Sequence, residues 1–565
     1  MKQTKTGAWI LIGMLLLSGC SGRNISGESE TESVTGKTAA NSTTSALGTM
    51  DLSEMFTNRD MEIGYEEEDS TKIILADDAS ACDSDTVLIS ENTITITDEG
   101  IYILSGTLTD GMVIVDAGEE DKVQLVLDDT EITSAESAAI YVTSADKVVV
   151  TTAAGSENKL ENGGSYTAID ENNIDAVIFS KADLTLNGAG KLEVKATAGH
   201  GIVSKDDLAL TSGTYGITAE SHGISGKDSV RVAGGTITIS AGEDGIHASN
   251  VDDASLGFVY IADGMFEIHA SDDGIHADSE VMITGGTIEI AQSYEGIEGL
   301  DIDISGGDIT IVSSDDGLNA AGGNDASGEE ADSGKAGLSE QDVMEEGEMP
   351  TPPAGTEMEE GERPTPPVGT EMEEGERPTA PDGAEMEEGE KPTAPDGTEM
   401  QREAISGGGD AMETEEDAWI QISGGILHVN ASGDGIDSNG FIYITGGETY
   451  ISGPTTGGNG NIDYGIEAVL TGGIVVAAGT SDMAQNFSSS STQGIIMVTV
   501  GTQASGSEIT LRDSSQEELL SWANAKQYNF VLISCPEIVQ GQTYTLTAGT
   551  DIQEITMESL IYEKR

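Results

Sequence analysis

Ser271-Asp-Asp-Gly-Ile-His-Ala-Asp278, Tyr294-Glu-Gly-Ile-Glu-Gly299 and Ser314-Asp-Asp-Gly-Leu-Asn-Ala320 repeat one acidic-Gly-Ile/Leu step. Between them lie Gly285-Gly286 and Gly306-Gly307, each followed by a short alternating run such as Thr287-Ile-Glu-Ile290. The spacing is about 22 residues, which is the mark of a solenoid. Period-2 alternation between Gly, Asn and Asp turns says that its coils are strands. The same glycine returns upstream at 201, 223 and 245, and downstream at Gly435 and in Tyr464-Gly465-Ile466. These observations predict a parallel β-helix.

In such a stack successive coils lie about 4.8 Å apart, so equivalent positions form columns. Asp244, Asp273, Glu295, Asp316 and Asp434 fall in one column. His247, His276, Glu298, Asn319 and Asp437, three residues on, fall in another. Adjacent carboxylates about 5 Å apart repel by roughly 3 kcal/mol per pair at an effective dielectric near 20. Protonation or a bound cation relieves that repulsion. Carboxylate, Asn and backbone carbonyl oxygens suit Ca²⁺. The expected ligands are Asp272, Asp273, Glu295, Glu298, Asp315, Asp316 and Asn319 in a first cluster, and Asp434, Asp437, Asn439 and Asp463 in a second. The EF-hand spacing is absent. His247 and His276 are read as donors filling the column, in preference to ligands of a transition metal.

The chain has 565 residues and a formal charge of −78. That charge excludes a phosphate-binding surface, so nucleic acid is not an expected partner. Lys2 and Lys5, an apolar run from Ala8 to Leu17, and Leu17-Ser-Gly-Cys20 make up an export signal over residues 1–20. Small residues before Cys20 resemble a bacterial lipobox, which predicts a lipid on Cys20 and extracytoplasmic display, with the membrane touched only through that anchor. Cys82 and Cys535 are expected to be unpaired packing residues, since a disulfide needs Cα atoms within about 7 Å.

Residues 21–60 read as a flexible tether, 61–183 as N-terminal cap and first irregular coils, 184–324 as regular coils, 418–494 as further coils, and 495–565 as a C-terminal cap with a helical signal at Gln516 to Lys526. Residues 325–417 interrupt the stack. There a 14-residue unit restarts at Met344, Met358, Met372 and Met386 and carries ten of the twelve prolines. So acidic and proline-rich a segment buries little and is expected to be a disordered insert, with the interrupted coil resuming at Ile420.

The run of motifs from His-Gly-Ile through Asp-Asp-Gly-Ile-His-Ala, Tyr-Glu-Gly-Ile-Glu-Gly and Asp-Gly-Ile-Asp-Ser-Asn-Gly resembles a bacterial family of secreted carbohydrate-binding β-helix proteins. That family is similar in fold to the calcium-dependent pectate lyases of polysaccharide lyase family 9. The resemblance covers about residues 87 to 550 outside the insert. It implies an all-β, right-handed parallel β-helix, bound calcium, and affinity for acidic plant polysaccharide or cellulose.

A pectate lyase needs a basic side chain to take the proton beside a uronate carboxylate. From Ala233 through Gly334, and from Glu403 through Leu511, there is no Lys or Arg. Lys205 and Lys227 share a column further upstream and are the residues a lyase would use, or a binder would turn to a uronate. Tyr294 and Tyr464 are the aromatic candidates for sugar contact, with Tyr260, Trp419 and Tyr443 also available. The function expected is calcium-dependent binding of a polysaccharide such as polygalacturonate without catalysis. The alternatives are a pectate-lyase-like enzyme and a structural surface spacer or adhesin.

Overall fold

A computed structural model describes residues 55–320 and 417–565, apart from 168 and 171. The export signal, Cys20, nearly all of the tether, and the insert up to residue 416 lie outside these residues.

The described chain is a β-solenoid with almost no helix. Each regular coil has three short strands that stack in parallel on their equivalents. One face runs through Ala176–Ser180, His200–Ser204, Ile224–Gly226 and Ile246–Ala248 to Leu318–Ala320 and Ile436–Ser438. A second runs from Lys147–Thr152 through Asp207–Leu210 and Phe258–Ile261 to Trp419–Ile422 and Phe441–Ile444. A third runs from Glu157–Asn162 through Thr236–Ala241 to Ile426–Ala431 and Glu448–Ser452. Alternation along each strand sends aliphatic side chains inwards, where Ile224, Ile246, Ile275, Ile297, Leu318 and Ile436 form one fully buried row. Rows of this kind merge into one continuous core.

The glycine before that row has a steric cause. A Cβ on Gly296 would lie 2.3 Å from the Gly317 carbonyl oxygen and 2.4 Å from Ile311 Cγ2. Gly274 meets Gly296 O in the same way at 2.6 Å. Gly296→Ala should therefore destabilise the stack by at least the ~1–3 kcal/mol typical of overpacking, read as a lowered thermal midpoint; an unchanged midpoint would show that the coils part easily here.

Three expectations need correction. Gly465 does not continue the glycine column: Gly435 donates to Gly460 O and Ile436 to Asn461 O, because the turn from Gly453 to Gly460 adds residues and shifts the register. Gln516 to Lys526 is not helical; Glu518–Ala523 is a strand of an antiparallel four-stranded sheet with Glu508–Arg512, Thr543–Ala548 and Asp551–Thr556. Buried Leu520 packs beneath that sheet, so tertiary packing overrides a local helical pattern. The tether is also shorter than expected, since Met55 and Asp60 are 4% and 1% exposed.

Met55 packs on Phe258, Tyr260 and Met282, and Arg231 donates to its carbonyl at 2.9 Å. Asp60, in the single-turn helix Asn58–Met61, accepts from Lys147 Nζ at 2.8 Å and Thr185 Oγ1 at 2.6 Å. This segment thus straps the second face across several coils. Parallel pairing begins well before Leu184, with Thr71–Ala76 on Gly100–Leu108 and that strand on Lys122–Ser134. The downstream end is closed by Tyr528–Ser534, which pairs antiparallel with both Ile474–Gly479 and Ile495–Gln503. An antiparallel strand stops the parallel ladder and covers its edge. Cys82 and Cys535 are free thiols.

The interruption by the insert is local. Leu318 and Asn319 pair with Ile297 and Glu298, and Trp419–Ile422 pairs with Asp301–Ile304 of the same strand. The chain leaves the coil at Ala320 and rejoins it where the next rung of the second face is due, as expected for Ile420.

Candidate functional site

The glycine column fixes the acidic one. Gly245, Gly274, Gly296 and Gly317 donate to the carbonyls of Asp273, Glu295, Asp316 and Asp434 at 2.9 to 3.0 Å. His247, His276, Glu298, Asn319 and Asp437 pair coil on coil two residues beyond the glycines. Both columns are therefore present as read, but the groups within them divide differently.

Upstream, Asp244, Asp272 and Asp273 converge, as do Asp273, His276 and Glu298. His276 Nδ1 lies 2.7 Å from Glu298 Oε2 and 3.3 Å from Asp273 Oδ2. Burial pushes the Asp273 carboxyl well up, with Asp244 and Glu298 adding to it and His276 opposing. Burial also disfavours charge on His276, yet its hydrogen bonds to the Asp273, Asp278 and Glu298 carboxylates raise it well above the usual imidazole range. Burial and the charges of Asp244 and Glu298 raise Asp272 to about 6. In the middle, buried Asn319 donates from Nδ2 to both oxygens of buried Glu295, at 3.0 and 2.9 Å.

Downstream, carboxylate oxygens of Asp316, Asp434 and Asp437 lie within 4.8 Å of one another. Asp316 was expected with the first cluster; the stack joins it to the second across the insert. The Asp434 N–H donates to Asp316 Oδ1 at 2.5 Å, and the Gly460 N–H donates to Asp434 Oδ1. Burial, then Asp434, Asp437 and Asp315, push the Asp316 carboxyl up to about 9. Asp434 rises to about 7 by burial, opposed by the Gly460 N–H. Among the described residues no basic side chain offsets the charge of Asp316 or Asp434. An all-oxygen donor set of this composition fits a hard divalent cation.

The remaining candidates scatter. Asp463 bonds to both sides of Asp437 through its backbone, while its carboxylate accepts from the Tyr464 N–H at 2.8 Å and from Gln485. Asn439 joins through its N–H to Ala320 O at 3.0 Å. Tyr294 lies between Asp272 and Asp315 in its column, bonded to both through backbone. Tyr464 OH donates to Asn486 O at 2.8 Å. Tyr260 and Trp419 are buried and offer no ring face to a sugar, whereas Tyr443 is half-buried and stacks on Phe441 at 5.8 Å. Lys205 lies over the Phe179 ring at 5.4 Å. Lys227 pairs with Asp252 at 2.7 Å, which raises its pKa and holds it protonated, so it is not ready to accept a proton.

Sequence reading missed two features. His200 and His222 occupy the acidic column upstream of Asp244, and their imidazoles stack across to His247 and His276 of the donor column; their His-Gly-Ile motifs, one coil apart, carried that signal. Lys526, in the cap, reaches back to donate to the Ala431 carbonyl, and burial lowers its pKa to about 8. No local motif reveals a contact across 95 residues.

A β-solenoid with a carboxylate column along one edge defines the class of protein. Residues 90–337 match the model of a family described as carbohydrate-binding domain-containing protein. Over that stretch the chain is similar to the carbohydrate-binding domain family. A carbohydrate-binding domain-containing protein of Acetivibrio thermocellus is 38% identical over 153 residues, covering 26% of this chain and 54% of that one. The chain thus spans about half the length of this curated relative. Among solved structures, the polysaccharide lyase-like protein from C. thermocellum, as a gadolinium derivative, is 34% identical over 44% of this chain and 96% of that one, with a TM-score of 0.37.

Proposed function

We propose that this protein binds an acidic polysaccharide, of the polygalacturonate type, through calcium held along the acidic column, and does not cleave it. The observation that carries this reading is the convergence of Asp316, Asp434 and Asp437 on one edge of the solenoid, with two carboxyls raised towards neutrality or beyond. A cation there neutralises the protein carboxylates and leaves coordination positions for uronate oxygens, since Ca²⁺ takes six to eight. A column repeated at the coil spacing offers a polymer several contacts on one chain, and linked weak contacts add as avidity. The family match over residues 90–337 supports a carbohydrate ligand.

On a polygalacturonate gel, retention should require Ca²⁺, be lost in chelator, and fall for Asp434→Asn, with no unsaturated product released. Retention unaffected by chelator would refute the calcium link. One observation favours the lyase alternative: Lys526 is a half-buried lysine of lowered pKa placed against the coil that leads to Asp434. Steady product formation abolished by Lys526→Ala would establish that reading instead.

A further inference from the structure

The two columns change chemistry along their length. Downstream they offer oxygen, whereas His222 in the acidic column and His247 in the donor column offer imidazole nitrogen. We propose that His222, Asp244 and His247 form a separate site for a borderline transition-metal cation of the Zn²⁺ kind, distinct from the calcium positions.

The two rings each turn one nitrogen to the same carboxylate, His222 through Nδ1 and His247 through Nε2. His222 Nε2 lies 3.4 Å from Glu243 Oε2, while its Nδ1 receives the Asp244 N–H at 3.2 Å. An Nδ1 that accepts carries a lone pair, so the ring proton sits on Nε2 and points to Glu243. His247 is turned the other way: Nδ1 meets Ser225 Oγ at 3.3 Å, leaving Nε2 facing Asp244. Asp244 Oδ2 is 3.2 Å from His222 Nδ1 and 4.0 Å from His247 Nε2. Two ring nitrogens turned to one buried carboxylate oxygen are held together by a proton on a ring or by a metal cation between them, and a cation would engage all three donors at once.

The three donor atoms lie within 4.8 Å of one another. Tetrahedral bonds of about 2.0 to 2.1 Å put ligand atoms about 3.3 Å apart, so the cluster needs only to contract. Each imidazole already has the outer partner that metal-bound histidines use to fix their tautomer, Glu243 for His222 and Ser225 for His247. Two imidazoles and one carboxylate suit zinc, nickel or copper and are a poor set for Ca²⁺, which prefers oxygen throughout. Asp244 is 5% exposed, so the anion is fixed in place by the fold. His200 falls in a separate grouping with His222 and Glu243, outside the three donors that include Asp244. The His222 and His247 rings are parallel, 2° apart with centroids at 4.1 Å. An ion shared by both lone pairs must turn them about χ2, a broad torsion for histidine, and trades the weak Asp244 N–H contact for a metal bond.

The test is titration of the metal-free full chain with Co²⁺, followed by displacement with Zn²⁺. The expected result is one equivalent of cobalt with the visible bands of a nitrogen-ligated ion, bleached by Zn²⁺ and unchanged by excess Ca²⁺. His222→Ala or His247→Ala should abolish the bands, and Asp316→Asn should leave them. Glu243→Gln keeps all three ligands and should weaken binding by about 10- to 100-fold, so the outcome survives if a histidine variant fails to fold. Bands that persist in both histidine variants, bands that excess Ca²⁺ removes, or Co²⁺ affinity untouched by Glu243→Gln would overturn the assignment. Calcium-dependent retention on polygalacturonate is a separate readout, so this site and the downstream one fail independently.

Discussion

In excess chelator, the folded chain should lose stability as pH rises from about 4 to about 9, and saturating Ca²⁺ should flatten that slope. The sign follows from the protons. Asp316 holds its proton up to about 9, Asp434 to about 7 and Asp272 to about 6, whereas the same groups in the unfolded chain release theirs near 3.9. Between those limits the folded state binds more protons than the unfolded one, so raising the pH favours unfolding, by at most about 1.4 kcal/mol per pH unit for each such carboxyl. A bound cation replaces the proton as the source of positive charge and adds about 2.7 kcal/mol per site at a hundredfold excess over Kd. Thermal or urea unfolding at several pH values, with and without Ca²⁺, measures both effects. A flat profile in chelator, or one that Ca²⁺ leaves unaltered, removes the basis for calcium in the column.

The second large effect belongs to the N-terminal strap. Asp60→Ala should cost about 3–5 kcal/mol, because it leaves Lys147, 9% exposed, charged without its nearest partner. Asp60 resists protonation: burial raises its pKa, but hydrogen bonds from Lys147, Thr185 and Thr57 outweigh it and hold the group at about 2. Its contribution is therefore complete above about pH 4 and is lost as pH falls through about 2. Changing both partners, Asp60→Leu with Lys147→Met, should restore much of the loss, since an apolar pair of similar volume avoids burying a lone charge. Denaturant unfolding together with protease sensitivity around Met55 tests this. A single and a double variant of equal stability would show that the pair is not coupled.

The solenoid was legible because its signals are local and repeated: a glycine, an acidic residue and an alternating strand in each coil. The steric reason for the glycine, its approach to the next coil's carbonyl, acts at every rung and so leaves a periodic trace. Where pairing loses its period, the reading failed. The Gly453 to Gly460 turn displaces Gly465 from the column, and the cap sheet around Leu520 is held by antiparallel partners distant in sequence. The acidic column was equally readable, but its partition was not. Asp316 and Asp434 are separated by 118 residues and meet only because the coil closes around the insert. The upstream histidines went unread as a group because His222 and His247 belong to different columns, which only the packing of their rings brings together.

The coil that opens at Ala320 and closes at Trp419 has a consequence for how this architecture accepts new material. Both flanks are pinned to one neighbouring strand, so the free energy of the stack depends on the flanks far more than on what joins them. Loop closure costs only about 0.6 kcal/mol for each doubling of length. This seam is therefore a port at which segments can be lengthened, shortened or exchanged for an unrelated module while the rungs on either side stay in register. Cargo entering there emerges beside Asn319 and Asp437, so whatever occupies the port is delivered to the edge where the carboxylates gather.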